Sequence, residues 1–102
     1  MMIDYSKIRD ILITHKGRKN KITSKQISLE MGFPMEDTQS VSRKAIWETA
    51  EKYGLPLVSS STGYYLANTK EELEKYNENI DKRINGMRKT RDMTNKNFKE
   101  WH

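Results

Sequence analysis

Gln39, Ser40 and Arg43 combine side-chain types and a spacing that suit the reading of base-pair edges. A glutamine amide matches the donor–acceptor pair of adenine, an arginine guanidinium pairs twice with guanine, and a serine hydroxyl bonds to either. Lys44 beside them suits a phosphate. A second group has the chemistry of backbone contact: Lys16, Arg18, Lys19, Lys21 and Lys25 fall within residues 15–25 with no acid among them. Thr23 and Ser24 stand where a helix begins and its free amides attract phosphate. Ser60, Ser61 and Thr62 add hydroxyl donors in one short polar stretch. The plain alternative is that these are ordinary surface residues and that the charges are solvated loops and helix faces.

The balance of charge supports a division of labour. The chain carries a net +5, but residues 26–66 hold only Arg43, Lys44 and Lys52 against Glu30, Glu36, Asp37, Glu48 and Glu51. The excess cations lie in residues 15–25 and in residues 82–99, where seven lysines and arginines face Asp92 alone. Basic blocks flanking a near-neutral reader can grip phosphates while the reader touches bases.

An enzymatic reading fails on inventory. The only histidines are His15, in the basic stretch, and His102, and the chain has no cysteine. Neither a glycine-rich phosphate loop nor a metal-ligand cluster is present, so no catalytic residue, cofactor or metal is expected. Disulfides and thiolate zinc sites are excluded. No apolar run approaches the roughly 18 residues that span a bilayer. With no basic-then-apolar leader at Met1-Met-Ile-Asp-Tyr5, the chain is expected to be cytoplasmic and free of membrane.

The elements that would hold these groups can be read from periodicity. With 102 residues and 34% hydrophobic content, the chain has room for one small domain and an appendage. Tyr5, Ile8, Ile11 and Leu12, with Ile13 beside them, form one apolar face of a first helix from Asp4 to about Thr14, with Asp4 or Ser6 as its cap. Residues 15–21 lack any apolar side chain and read as an exposed loop. Thr23 and Gln26 fit a capping box opening a second helix, on which Ile27, Leu29 and Met31 are apolar and Gly32 is the stop.

Pro34 ends that segment, leaving Phe33 and Met35 as plugs under the turn. A third helix capped by Asp37 or Thr38 runs to Tyr53 and Gly54. Its buried side is Val41, Ala45, Ile46, Thr49, Ala50 and Tyr53, and its outer side is Gln39, Ser40, Arg43, Lys44, Trp47, Glu48 and Glu51. Trp47 then faces outward as an interface anchor, or a one-position shift tucks it against the following hairpin. Leu55 to Ser60 and Tyr64 to Ala67 are strand-like, with a tight turn between them. That hairpin must pack on the helices through Leu57 and either Tyr65 or the Tyr64/Leu66 pair.

Thr69 and Glu72 form a second capping box, followed by Leu73, Ile80, Met87, Thr94 and Trp101 at sevenfold spacing, with Tyr76, Ile84 and Phe98 near that stripe. Leu73, Tyr76, Ile80, Ile84 and Met87 thus suit a homodimer seam. The first three suit equally well a place against the chain's own first helix. The helix is expected to about Ile84, with Asn85-Gly86 interrupting it; residues 87–102 could continue it, fold back or be disordered.

In order, Ser42-Arg-Lys-Ala-Ile-Trp47, Tyr53-Gly-Leu-Pro-Leu-Val58 and Gly63-Tyr-Tyr-Leu66 resemble the winged helix-turn-helix DNA-binding domain of the biotin-operon repressor family. The resemblance covers residues 3–67; the remainder does not match the biotin-binding enzyme of those repressors. The chain is also similar in general look to small regulatory or replication proteins of bacteriophages. The resemblance implies an α+β, mainly α fold with three helices, a two-stranded wing and a C-terminal helix, divided as 1–67 and 68–102. It implies sequence-specific binding of double-stranded DNA in transcription or replication, as a dimer on two half-sites. The rival expectation is a winged-helix scaffold that inhibits or adapts a host or phage protein complex. Two departures stand out: the turn from Phe33 to Ser40 is long for the family, and the wing tip Ser59-Ser-Ser-Thr62 lacks the family's basic residue.

Overall fold

The computed structural model describes residues 2–34 and 39–101. Among these, the elements run α1 (Tyr5–Ile13), α2 (Ser24–Met31), α3 (Ser40–Tyr53), β1 (Leu57–Ser60), β2 (Gly63–Leu66) and α4 (Lys70–Trp101), with a single 3-10 turn at Arg18–Asn20. The chain is therefore α+β and mainly helical, with four α-helices and one antiparallel hairpin, a layout compatible with a winged helix. It divides into two compact units, Met1–Glu72 and Leu73–His102. No helix among the described residues is long and apolar enough to cross a membrane.

Local chemistry accounts for most helix ends. The Asp4 carboxylate accepts from the Lys7 amide at 3.2 Å and starts α1. At α2 the capping box forms in both directions: Thr23 Oγ1 accepts from the Gln26 amide at 3.1 Å, and Gln26 Oε1 accepts from the Thr23 amide at 2.8 Å. Gly32 and Gly54 end α2 and α3 in the left-handed conformation, φ 69° and 65°, which costs glycine nothing. The expected Asp37 or Thr38 cap and the Met35 plug lie outside the described residues. The residue entering α3 is Gln39.

Ile8 and Leu12 of α1, Ile27 of α2, and Ala45 and Ile46 of α3 are fully buried in one core, completed by Ile22, Phe33, Ala50, Leu57 and Leu66. At about 2 kcal/mol for each fully buried aliphatic side chain, this small cluster is the main force holding the first unit together. Two positions expected on the apolar faces of α1 and α2 are exposed. Leu29, expected on the apolar side of α2, is 64% exposed, and Ile13 is also exposed. Ser28 of α2 and Ser42 of α3 are instead fully buried. Small side chains let these helices approach closely. Each hydroxyl finds a local partner: Ser28 Oγ donates to Gln39 Oε1 and Ser42 Oγ to the Gln39 carbonyl.

β1 and β2 pair in the register Leu57↔Leu66, Val58↔Tyr65, Ser59↔Tyr64 and Ser60↔Gly63. Residues opposite one another share a face, so Leu57, Leu66, Ser59 and Tyr64 point one way and Val58 with Tyr65 the other. The first set packs on the main core through Leu57, Leu66 and the half-buried Tyr64, while Val58 and Tyr65 are also buried, on the other face. Pro56 precedes β1, and its carbonyl accepts from the Ala67 amide at 2.9 Å.

Segment 15–22 is more ordered than an exposed loop. The Leu66 amide donates to the His15 carbonyl (2.9 Å), the Gly17 amide to the Leu66 carbonyl (2.8 Å), and Ile22 and Tyr64 exchange two bonds of 2.8 and 2.7 Å. It therefore lies along the outer edge of β2. Gly63 makes this approach possible, since a Cβ there would sit 2.8 Å from the Ile22 carbonyl oxygen and its φ of 147° is one that side chains avoid.

α4 is one continuous helix through Gly86 to Trp101, longer than the helix to Ile84 that periodicity predicts. At 1.5 Å per residue its 32 residues span about 48 Å. A single helical glycine, at about 1 kcal/mol, is a small penalty against so many backbone hydrogen bonds.

Candidate nucleic-acid interface

The outer side of α3 presents Ser40, Arg43, Lys44, Trp47 and Glu51, all exposed, at spacings of three and four. Trp47 takes the outward register with 43% of its surface accessible. Glu48 is half-buried: its carboxylate accepts from the Tyr5 hydroxyl of α1, which raises the Tyr5 pKa, and lies 4.0 Å from Lys44. Its charge is thus drawn toward α1 and one turn away from Arg43. Nearby, Arg9 stacks on the Tyr53 ring at 4.8 Å and Lys52 lies over Tyr5 at 5.5 Å, fastening α1 to the far end of α3.

Gln39 is placed differently from its neighbours. It is a non-glycine residue at φ 53°, half-buried, with its amide oxygen held by Ser28 Oγ at 2.9 Å. Its carbonyl accepts both from the Arg43 amide (3.0 Å) and from Ser42 Oγ (3.0 Å). A left-handed residue costs of order 1 kcal/mol and persists only where surroundings compel it. Here three hydrogen bonds to one residue supply that compulsion. Gln39 thereby sets how α3 leaves the turn and where Ser40 and Arg43 point.

The basic segment joins this surface through the hairpin. Lys21 Nζ donates to Thr62 Oγ1 at 2.8 Å, so a cation from outside the hairpin sits at its uncharged tip. Ser60 Oγ donates to the Gly63 carbonyl and shapes the tip, and Ser61 is exposed. Tyr64 continues the hairpin from its tip. It is bonded through its backbone to Ile22, next to Lys21; burial raises the pKa of its hydroxyl and the Arg43 charge partly offsets that. Lys21, Thr62 and the Tyr64 backbone are thus tied together within the first unit.

The remaining backbone candidates are distributed around it. Lys16, Arg18 and Lys19 are exposed, Lys16 bridging to Leu66 and the other two in the 3-10 turn. Lys25 is exposed on α2, Ser24 is half-buried beside it, and the Thr23 hydroxyl serves the cap. His15 Nδ1 donates to the Asn20 carbonyl at 2.7 Å and so closes the loop. Glu72 holds the far end: its carboxylate accepts from the amides of Arg18 (2.6 Å), Asn68 (2.9 Å) and Thr69 (3.2 Å). These bonds, that of Arg18 foremost, keep its pKa below the ordinary glutamate value. In the second unit Leu73, Ile84 and Met87 are exposed, while Tyr76 and Ile80 are half-buried.

Three residues that shape the site escape a reading by type and period. Ser28 looks like a polar surface position, Tyr64 like a strand filler, and Glu72 like half of a helix cap. Only the Glu72 cap leaves a sequence signal, the Thr69–Glu72 spacing. Among the described residues, no group of three or more His, Asp or Glu side chains is placed to hold a metal ion.

No protein-family model matches the chain, and neither a curated protein nor a solved structure does.

Proposed function

We propose that the first unit is a winged helix that binds double-stranded DNA, with α3 in the major groove and the β1–β2 hairpin as the wing. The observation that carries this reading is the Lys21–Thr62 bond, which sets a cation at the hairpin tip, together with the exposed Arg43 and Lys44 of α3. Together they support a reading in which both the wing and the helix offer cations to one duplex. Arg43 is the principal base reader, since a guanidinium pairs twice with guanine and can also reach a phosphate. Ser40 adds a lesser contact. Gln39 reads adenine only by giving up or sharing its bond to Ser28, so its main role is to aim α3. Lys16, Arg18, Lys19, Lys21, Lys25 and Lys44 supply the electrostatic share of affinity, and Thr23, Ser24, Ser60, Ser61 and Thr62 supply hydroxyl or amide contacts. The biological setting that fits is regulation of transcription or replication, of the kind bacteriophages encode in small proteins.

The exposed indole of Trp47, in the middle of the α3 stripe, favours a second reading in which the same surface docks on a protein of a host or phage complex. One comparison separates the two. Arg43→Ala, Trp47→Ala and the double Lys19/Lys21→Ala variant are titrated against a panel of duplex sequences. The DNA reading predicts that Arg43→Ala costs about 1–3 kcal/mol on preferred sequences and flattens the preference. It predicts that the lysine variant weakens every sequence alike. Equal loss on all sequences with Arg43→Ala would refute its base-reading role, and absence of duplex binding by the parent chain, with nothing for any of the variants to weaken, would favour the protein-docking reading.

A further inference from the structure

α4 separates charge along its length as well as apolar from polar residues around it. Within the second unit, Glu74, Glu78 and Asp81 outnumber Lys75 in the first part, while Lys82, Arg83, Arg88, Lys89, Arg91, Lys96 and Lys99 outnumber Asp92 and Glu100 in the rest. The apolar seam continues across both halves and is largely open to solvent, Ile80 being half-buried and Met87 72% and Trp101 86% exposed. We propose that this seam binds the same helix of a second copy, antiparallel, with the two-fold axis between Asn85 and Gly86. The proposal is independent of the DNA reading.

The direction follows from register. Written as heptads, Leu73, Ile80, Met87, Thr94 and Trp101 occupy one core position, and Asn77, Ile84, Arg91 and Phe98 the other. Antiparallel helices pair one core position with the other. An axis between residues 85 and 86 then stacks Ile84 on Met87, Ile80 on the stem of Arg91, Asn77 on Thr94 and Leu73 on Phe98, each pair repeated by symmetry. The polar Asn77–Thr94 layer fixes this register, since slippage sets either residue against an apolar one. On the flank, Asp81 meets Arg88 of the other copy, and each acidic segment lies along a basic one.

A parallel pair has none of these features. It sets Arg91 against Arg91 in the core and Arg83 opposite Arg88 on the flank, and it stacks acidic on acidic and basic on basic segments. Like charges directly opposed are destabilising. About four heptads of seam is the length at which such pairing becomes stable, and the polar layers and Arg91 keep it reversible.

The full-length chain is tested by sedimentation equilibrium over a concentration series, with two single-cysteine variants, Asn77→Cys and Thr94→Cys, in a protein that has no other thiol. The expected result is a monomer–dimer equilibrium and a disulfide-linked dimer when the two variants are mixed and oxidised, with little from either alone. Asp81→Arg should raise the dissociation constant about tenfold, and adding Arg88→Asp should restore it. A monomer at all concentrations overturns the proposal. So does cross-linking by Asn77→Cys alone, the signature of parallel helices, or a failure of the second charge reversal to rescue the first.

Discussion

Replacing Gly63 with alanine places a methyl carbon 2.8 Å from the Ile22 carbonyl oxygen, on a residue whose φ is 147°. Both costs are backbone costs, so no side-chain rotation relieves them. The φ angle is unfavourable for any L side chain by about 1–3 kcal/mol. Pushing the edge segment back costs about as much again and lengthens the 2.7 and 2.8 Å bonds between Tyr64 and Ile22. The total is about 2–6 kcal/mol. A unit the size of Met1–Glu72 has only about 4–10 kcal/mol of stability in all. Gly63→Ala should therefore unfold the first unit at markedly lower urea, followed by Trp47 fluorescence in a Trp101→Phe background. Gly86→Ala is the matched control: it lies in an open helical position and should stabilise α4 by up to about 1 kcal/mol. A Gly63→Ala midpoint within about 1 kcal/mol of the parent would refute the close approach of residue 22 to the hairpin, and with it the placement of Lys21 at the tip.

Glu72→Gln should flatten the acid side of the stability profile. The folded carboxyl titrates below the unfolded value near 4.5, so its contribution is complete above that value and disappears as pH falls through the folded pKa. Urea midpoints at neutral and acid pH read the slope; Asp4, lowered by its bond from the Ser6 hydroxyl, leaves a residual dependence in the variant. An unchanged slope would mean the carboxylate does not fasten Arg18 and Asn68. Thr23→Ala removes one side of the capping box and should cost about 1 kcal/mol in the same assay, against no loss if the cap is unimportant. Ser28→Ala should cost about 1–2 kcal/mol and broaden the amide resonances of Ser40 and Arg43, because Gln39 is no longer held; sharp, unshifted resonances would contradict its role in aiming α3.

What can be read before folding, and what cannot, divides along physical lines. Helix ends governed by local chemistry, such as Thr23 with Gln26 and Gly32, are visible because capping acts within four residues. Most of the outward set on α3 is visible because its period is regular, although Gln39 and Glu48 are half-buried. Lys21 at the hairpin tip is not visible: the pairing of residues 15–22 with β2 joins positions some forty apart, and a stretch without apolar side chains gives no strand signal. The burial of Ser28 and the exposure of Leu29 invert the simple polarity rule. Close helix approach favours a small side chain there, a demand that exists only once both helices are in place. Gly86 reads as an interruption of α4, yet its helix-breaking cost is outweighed by its neighbours.

The central claim, that α3, the hairpin and segment 15–21 form one DNA-binding surface, is tested most directly by duplex binding over a salt series. With four or five phosphates neutralised, the logarithm of affinity should fall against the logarithm of salt with a slope of about −4, and the Lys19/Lys21→Ala variant should make it shallower by about 2. Absence of salt-dependent binding at low ionic strength, or a slope the double variant leaves unchanged, would contradict it.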